Sequence, residues 1–479
     1  MMNQNIDIKH IHSIYFVGIK GIAMTSLAVW AKEKGIRVAG SDTKEDFPSV
    51  PILKQLHITP LVGFSADHVS QEHPDLVVYT GAHQGRDNVE VQEAMRLGIP
   101  ALAHGRALGL VMEEKKQISV AGSHGKTTTS AMIATILSQA KQDPSYAIGC
   151  GEIRGLGLPG HSGTGDYFVA EADEYVTDPT HDATPRFLWQ NPDILVVTNI
   201  DYDHPDAYAS LAAVQDAFMK LVKREKGRKI TVVNIDDPAS KPLIDEKLPI
   251  RLITYGTSEE SDYRATEITF RPGNTQFTVL HHNKSIGKFT VRVPGEHNVR
   301  DSLSAIVACV TVGLSPKEIA LGLNEFRGAK RRFELLGTHN GVEFYDDYAH
   351  HPKEIAATLA AVQAWYTNDR LIVVFQPHTY SRTKALMSDF GTSFASADIV
   401  IATDIYASAR EKDSMGITGD LFVREVQKHH EHVFYGKTPA DVESILRKTI
   451  KSGDRVVFMG AGDIYSWEKD VVSHLGVNL

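Results

Sequence analysis

The stretch from Gln117 to Ala134, QISVAGSHGKTTTSAMIA, restricts the fold more than any other part of the chain. Ile118-Ser119-Val120 are strand formers, Gly122-Ser123-His124-Gly125 is a turn, and Lys126 with three threonines leads into an apolar-rich run that suits a helix. A strand, a glycine turn and a helix start in that order make a phosphate cradle. The glycines let backbone N–H groups converge on an oxyanion, and the helix N-terminus adds a positive dipole end. Lys126 then reaches the terminal phosphates, and Thr127 offers its hydroxyl to Mg²⁺. The spacing G-x-x-x-x-G-K-[ST] would need glycine at position 120, where valine stands, so the loop is a shortened variant that begins at Gly122. The alternative is a turn-and-cap motif with no ligand, for which three consecutive threonines after Gly-Lys are poor use.

At 479 residues the chain is long enough for about three domains. A content of 42% hydrophobic and 23% charged residues is that of an ordinary globular protein. The net charge of −9 argues against a general nucleic-acid binder. Two cysteines far apart, Cys150 and Cys309, fit a reducing compartment without a disulfide framework. The N-terminal residues lack a basic segment followed by an apolar core, and no apolar run reaches the ~18 residues of a membrane span. The expectation is a cytoplasmic protein with no membrane or nucleic-acid partner, a monomer or weak homodimer.

Ser13–Val17 reads as a strand running into Gly18-Ile19-Lys20-Gly21, then a helix from about Ile22 to Lys34 and a second strand that exits at Ser41-Asp42. That glycine loop does not satisfy G-x-G-x-x-G and is either a nucleotide-type turn or a plain tight turn. Further alternation follows, with a strand ending at Thr80. After the phosphate loop, one strand ends in Glu171-Ala172-Asp173-Glu174 and another in Asn199-Ile200-Asp201-Tyr202-Asp203-His204. Strand C-termini are where open α/β sheets bind ligands, and carboxylate oxygens beside a phosphate loop suit Mg²⁺. Taken singly, each acid reads equally well as a solvated loop residue or a helix cap. Residues 251–293 alternate Thr, Val, Phe and Ile and suggest a small antiparallel β insertion. Pro294 to Asn298 should lead into a helix from Ser302 to Val312. From Arg331 a third run of strands and helices begins.

The phosphate loop, EADE, TNIDYDH, GEHNVRD, RRFE, DDYAHHP and FQPHTYSRT occur in that order along essentially the whole chain. This series resembles the Mur ligases, ATP-dependent enzymes that add amino acids to the cytoplasmic peptidoglycan precursor. The resemblance implies an α/β fold in three domains: a Rossmann-like UDP-substrate domain over 1–112, a P-loop ATPase-like domain with a β insertion over 113–327, and a Rossmann-like ligase domain over 328–479. It implies ATP and Mg²⁺ as cofactors and UDP-N-acetylmuramate and L-alanine as substrates. An intact tripeptide in place of L-alanine is the alternative.

By the same resemblance, Gly122, Ser123, His124, Gly125, Lys126, Thr127 and Thr128 bind ATP together with His297, Asn298 and Asp301. Thr127, Glu171 and His204 hold the metal. Lys126, His204, Arg332 and Asp347 serve the chemistry. Gly18, Lys20, Gly21, Ser41, Asp42, Thr80, Gly81 and His104 form the UDP side, while Asn199, His350, His378, Arg382 and Gly460 face the substrate. Three positions depart from the family pattern: Asp301 stands for an Asn, Thr379 for an Arg, and His104 with Arg106 for a single Arg after Pro100. The chemistry implied needs no protein nucleophile. A carboxylate is converted to an acyl phosphate, and an amine displaces the phosphate.

Overall fold

A computed structural model describes residues 6–224, 230–246, 248–407, 411 and 413–476. Its described strands form three large sheets and one short ribbon. The first sheet contains β1 (Ser13–Val17), β2 (Arg37–Asp42), β3 (Leu61–Val62), β4 (Leu76–Tyr79) and β5 (Ala101–Ala103) in the order β3-β2-β1-β4-β5. All its pairings are parallel. Every residue of β1 and β4 is buried, as expected for strands covered by helices on both faces.

The central sheet starts with β6 (Lys116–Ala121), β7 (Ser145–Ala147), β8 (Gly160–His161) and β9 (Tyr167–Ala172). A separate ribbon follows, β10 (Val176–Asp178) with β11 (Asp182–Pro185). The sheet then continues through β12 (Ile194–Val197), β13 (Ile230–Asn234), β14 (Arg251–Gly256), β15 (Tyr263–Arg271), β16 (Asn274–His281) and β17 (Lys284–Val291). The order β17-β16-β15-β14-β13-β12-β6-β9-β7-β8 puts β6 between β12 and β9, so the phosphate loop and both acidic strand ends open on one edge. The antiparallel insertion expected over 251–293 is β15, β16 and β17, and it extends this sheet because β14 pairs in parallel with β15. Helix Lys126–Gln139 is buried on nearly every side, Thr127, Thr129, Ser130 and Thr135 included, and packs against helices Glu296–Val312 and Pro316–Glu325. A Cβ on Gly322 would come within 2.7 Å of Ile136 Cα, which is why the close crossing needs glycine there. The Glu296 helix begins six residues before the expected Ser302, so His297, Asn298 and Asp301 sit in its first turns.

The third sheet has β18 (Glu334–His339), β19 (Val342–Asp347), β20 (Leu371–Phe375), β21 (Ile399–Ala402), β22 (Val433–Tyr435) and β23 (Arg455–Met459), ordered β18-β19-β23-β20-β21-β22. Only β18 is antiparallel. The joints between the sheets differ in kind. Ala147, Phe168 and Ala170 of the central sheet belong to the apolar core of the first. No hydrophobic cluster among the described residues joins strands of the central and third sheets. No described helix is long and apolar enough to cross a membrane.

Candidate functional site

Between β6 and helix Lys126–Gln139 the backbone passes through two glycines with positive φ, Gly122 at 143° and Gly125 at 82°. Neither has room for a side chain. A Cβ would lie 1.9 Å from Thr198 Oγ1 at the first and 2.5 Å from Asp301 Oδ1 at the second. The residue after β12's exit pins the loop from behind. His124 N–H donates to Asn199 Oδ1 at 2.9 Å, Ser123 N–H donates to the Asn199 carbonyl at 3.1 Å, and Asn199 Nδ2 donates to the His124 carbonyl at 3.0 Å. Asn199 therefore belongs to the wall of the phosphate loop in this structure. The helix carries no side-chain cap, which leaves its first-turn N–H groups facing an oxyanion position.

Lys126 folds back over its own loop. Its Nζ donates to the Gly122 carbonyl, to the Ser123 carbonyl at 3.2 Å and to Glu174 Oε2 at 2.9 Å. Burial works against the ammonium, but Glu174 and Asp173 outweigh it and raise its pKa. Thr127 Oγ1 donates to Glu171 Oε1 at 3.0 Å, and Gly149 N–H donates to the same oxygen at 2.7 Å. His204 sits elsewhere, with Nε2 3.8 Å from Glu174 Oε1 and 3.6 Å from Asp203 Oδ2. Of the three residues expected at the metal, two touch each other. The third forms a group with Asp173 and Glu174 whose ligand atoms lie within 4.8 Å of one another. Glu174 Oε1 is buried with no hydrogen-bond donor among the described residues. An undonated buried carboxylate oxygen is costly, and oxygen-rich surroundings are what Mg²⁺ takes, so these residues fit that ion.

The third sheet supplies the facing wall. Asp347, at the end of β19, accepts N–H bonds from Phe333 and Ala349, each at 2.8 Å, and burial pushes its carboxyl up to about 6. The Arg332 guanidinium lies 5.3 Å from the Tyr348 ring centre. Arg332, Phe333, Asp347 and Ala349 line a cavity of about 230 Å³ together with His124, Gly125, Thr128, His297, Asn298 and Asp301. Burial pushes Asp301 up to about 7. Burial, with Arg300 and Arg332, pushes His297 down to about 4. Asn298 Nδ2 donates to the Pro294 carbonyl at 2.6 Å, which fixes the entry to the helix.

Arg154 Nη2 meets Glu334 Oε1 of β18 at 3.0 Å, and three more charged pairs cross between the central and third parts beside the phosphate loop. His124 Nδ1 meets Glu354 Oε1 at 3.1 Å, Lys353 Nζ meets Asp201 Oδ1 at 2.8 Å, and Arg382 Nη2 meets Asp203 Oδ1 at 3.3 Å. Burial favours neutral His124, but its hydrogen bonds to Asp201 and Glu354 outweigh that and push it up to about 10. His350 is pushed down to about 4 by burial and by Arg382. Its Nδ1 lies 3.0 Å from the Tyr348 carbonyl, which can only accept, so Nδ1 carries the proton and Nε2 the lone pair. The His378 ring stacks on Tyr406 at 5.7 Å and has Nδ1 3.4 Å from Arg382 Nη1. Gly460 N–H donates to the Asp347 carbonyl, tying β23 to the end of β19. Lys353 and Glu354 go unnoticed in the sequence. The one signal was the capping-box spacing from His351 to Glu354.

On the first sheet, the expected substrate residues lie where the strand order reverses about β1. Gly18 N–H donates to the Ser41 carbonyl at 2.9 Å, and Gly21 N–H donates to the Gly18 carbonyl at 3.2 Å. Lys20 N–H donates to Asp42 Oδ2 at 2.7 Å, and Lys20 Nζ donates to the carbonyls of Thr43 and Glu45. Thr80 and Gly81 follow β4, and a Cβ on Gly81 would stand 3.0 Å from the Thr177 carbonyl of the central ribbon. His104 turns inward, with Nε2 3.1 Å from the Ala23 carbonyl, and burial pushes it down to about 4. It supplies no cation there. Arg106 is paired with Asp182 at 3.0 Å and lies 4.1 Å over Trp189.

Comparison with known proteins adds to this geometry. The Mur ligase family catalytic domain matches residues 13–116, the Mur ligase middle domain matches 120–309, and the Mur ligase glutamate ligase domain matches 331–462. The chain is 37% identical over 460 residues to the UDP-N-acetylmuramate–L-alanine ligase of Desulfitobacterium hafniense, covering 96% of this chain and 99% of that protein. It is 39% identical over 464 residues to the protein of the same name from Caldanaerobacter subterraneus, covering 96% and 97%. Among solved structures, the UDP-N-acetylmuramate-alanine ligase of Thermotoga maritima superposes with a TM-score of 0.81 at 27% identity, covering 97% of this chain and 99% of that one. A murein peptide ligase from Psychrobacter arcticus gives 0.72 at 25% identity, covering 98% and 99%. With a phosphate cradle, a carboxylate-rich edge and full-length relatives of this kind, the chain belongs to the Mur ligase family.

Proposed function

We propose that this chain joins L-alanine to UDP-N-acetylmuramate at the expense of ATP, in the cytoplasm, during peptidoglycan precursor synthesis. The observation that carries this reading is the near-complete alignment with relatives named for that reaction. The phosphate loop and the 230 Å³ cavity hold ATP between the central and third sheets. UDP-N-acetylmuramate lies along the edge from Gly18 and Asp42 to the His350–Arg382 side. The muramoyl carboxylate attacks the γ-phosphorus, giving an acyl phosphate and ADP. The amine of L-alanine then attacks the acyl carbon, and inorganic phosphate leaves.

Lys126 and Arg332 neutralise charge on the transferring phosphoryl group, which is where preorganised cations gain most. Thr127, Glu171, Glu174 and His204 are the residues that would hold Mg²⁺, and the ion supplies positive charge to the phosphate oxygens. His350 stays neutral, with Nδ1–H donating to the Tyr348 carbonyl, and lies on the side that faces the muramoyl substrate. Asn199, pinned against His124, keeps the loop in shape as the phosphate departs.

The test is release of phosphate from ATP with UDP-N-acetylmuramate and each amine in turn: L-alanine, L-serine, glycine, and the tripeptide L-Ala-γ-D-Glu-meso-diaminopimelate. L-Alanine should give the highest kcat/KM. A higher value for the tripeptide would overturn the choice of amine, and no release with any amine would overturn the ligase reading.

A further inference from the structure

We propose that Glu354 is a positioning residue that couples the phosphate loop to the His350–His351 turn, so that loop and histidines are set in one arrangement. The inference rests on the site reading given above. Glu354 occupies the third position of helix Pro352–Trp365, and its two carboxylate oxygens face different partners. Oε1 meets His124 Nδ1 at 3.1 Å across the interface. Oε2 accepts from His350 N–H at 3.2 Å and His351 N–H at 3.4 Å, and lies 3.4 Å from His350 Nδ1. His124 is itself fixed on its other nitrogen by Asp201 at 3.1 Å, and its ring packs on His351 at 4.9 Å. One carboxylate therefore contacts a residue of the phosphate loop and the turn that carries His350. It also borders the cavity that holds Arg332 and Asp347.

A plain helix-capping role accounts for only half of these bonds. A capping box accepts Glu or Gln alike at this position, so Glu354→Gln keeps the cap. What it loses is the anion opposite His124 Nδ1, while Asp201 still pairs with Nε2, so the charge of His124 is not left unpaired. Three measurements separate the two roles. First, Glu354→Gln should melt close to wild type, yet lose kcat by about thirtyfold or more with the KM for UDP-N-acetylmuramate little changed. Second, the double variant His124→Asn/Glu354→Gln should be no slower than the worse single variant, as expected for two residues acting through one contact. Third, ATP alone should slow amide exchange in residues 350–357 of the wild type and fail to do so in Glu354→Gln.

The exchange measurement needs no amine and no turnover, so it stands even if the assignment of L-alanine fails. A kcat for Glu354→Gln within threefold of wild type, multiplicative effects in the double variant, or equal ATP protection in both proteins would each overturn the coupling. If Glu354→Gln melts well below wild type, Glu354→Asp decides. That variant keeps the charge but withdraws it by one methylene, and it should restore stability while leaving ATP protection of the turn impaired. Full protection in Glu354→Asp would also overturn the proposal.

Discussion

Lys126 and Glu174 stand 2.9 Å apart in a largely buried recess, so the ammonium proposed to neutralise phosphate is held by a carboxylate of the same site. Lys126→Ala should lower ligation by about a hundredfold or more, since removing a cation from developing phosphoryl charge costs ~3 kcal/mol. UDP-N-acetylmuramate affinity, measured by calorimetry, should hold, because that ligand is assigned to the edge of the first sheet. Loss of its binding would contradict the division of labour between the sheets. Asp301 provides a second residue-level prediction. Its folded-state pKa of about 7 lies above the unfolded value of about 3.9. The stability it contributes as a neutral acid is complete below about pH 4 and is lost as pH rises through 7. Asp301→Asn should therefore melt above the wild type by a few degrees at pH 8, with the difference shrinking steadily to nothing near pH 4. An unchanged difference across that range would place the ionisation elsewhere.

At the scale of elements, the two glycines of the phosphate loop set the strictest demand. Gly122→Ala combines a φ of 143° with a Cβ 1.9 Å from Thr198 Oγ1, so it should both lower the melting temperature strongly and abolish ATP binding. Gly35→Ala is the matched control. Its φ is 89° with nothing within 4 Å of the added Cβ, so only the backbone term of about 1 kcal/mol remains. Equal losses in the two variants would mean that crowding at Gly122 is relieved by movement of Thr198. These local demands explain why the loop was legible in the sequence: glycine, lysine and threonine spacing encode it within ten residues. The start of helix Glu296–Val312 was not legible. Its cap is Gly295 at φ 93°, without a capping side chain, and Pro294-Gly295 reads as a turn. The extension of the central sheet was hidden for another reason. It hangs on two parallel pairs, Tyr255 with Tyr263 and Gly256 with Arg264, and such pairing leaves no local periodic mark. Within the site, Lys126, Thr127 and Glu171 were legible because the first two follow the glycine turn after β6 and the third lies at the C-terminal end of β9. The contact between His124 and Glu354 spans 230 residues and rests on the packing of two domains, which no local spacing records.

For the whole molecule, the contrast between the two joints decides what can move. The first and central sheets share an apolar core, and Trp30 packs on Phe168 at 6.2 Å across it. A Cβ on Gly160 would strike the Ser26 carbonyl at 2.1 Å, so the two units are in close backbone contact. Separating them would expose that apolar surface. The third sheet instead meets the central one through polar contacts that include Lys353–Asp201, Arg382–Asp203, His124–Glu354, Arg154–Glu334 and a hydrogen bond from Trp365 Nε1 to Thr275 Oγ1. Polar interfaces of this kind permit relative motion of domains. On the proposed reaction, opening would admit substrates, and closing would hold Arg332 and Asp347 against the phosphate loop and exclude water that hydrolyses an acyl phosphate. Neutralising the central side of two pairs, as in Asp201→Asn/Asp203→Asn, should shift the population toward the open arrangement. Small-angle scattering of the double variant should then give a larger radius of gyration than the wild type, and amide formation should fall more than ATP affinity. The first and central sheets should keep their amide-exchange protection, since none of their apolar contacts is touched. A scattering profile identical to wild type, with amide formation undiminished, would show that these pairs do not govern closure and that the third domain is held by the remaining contacts alone.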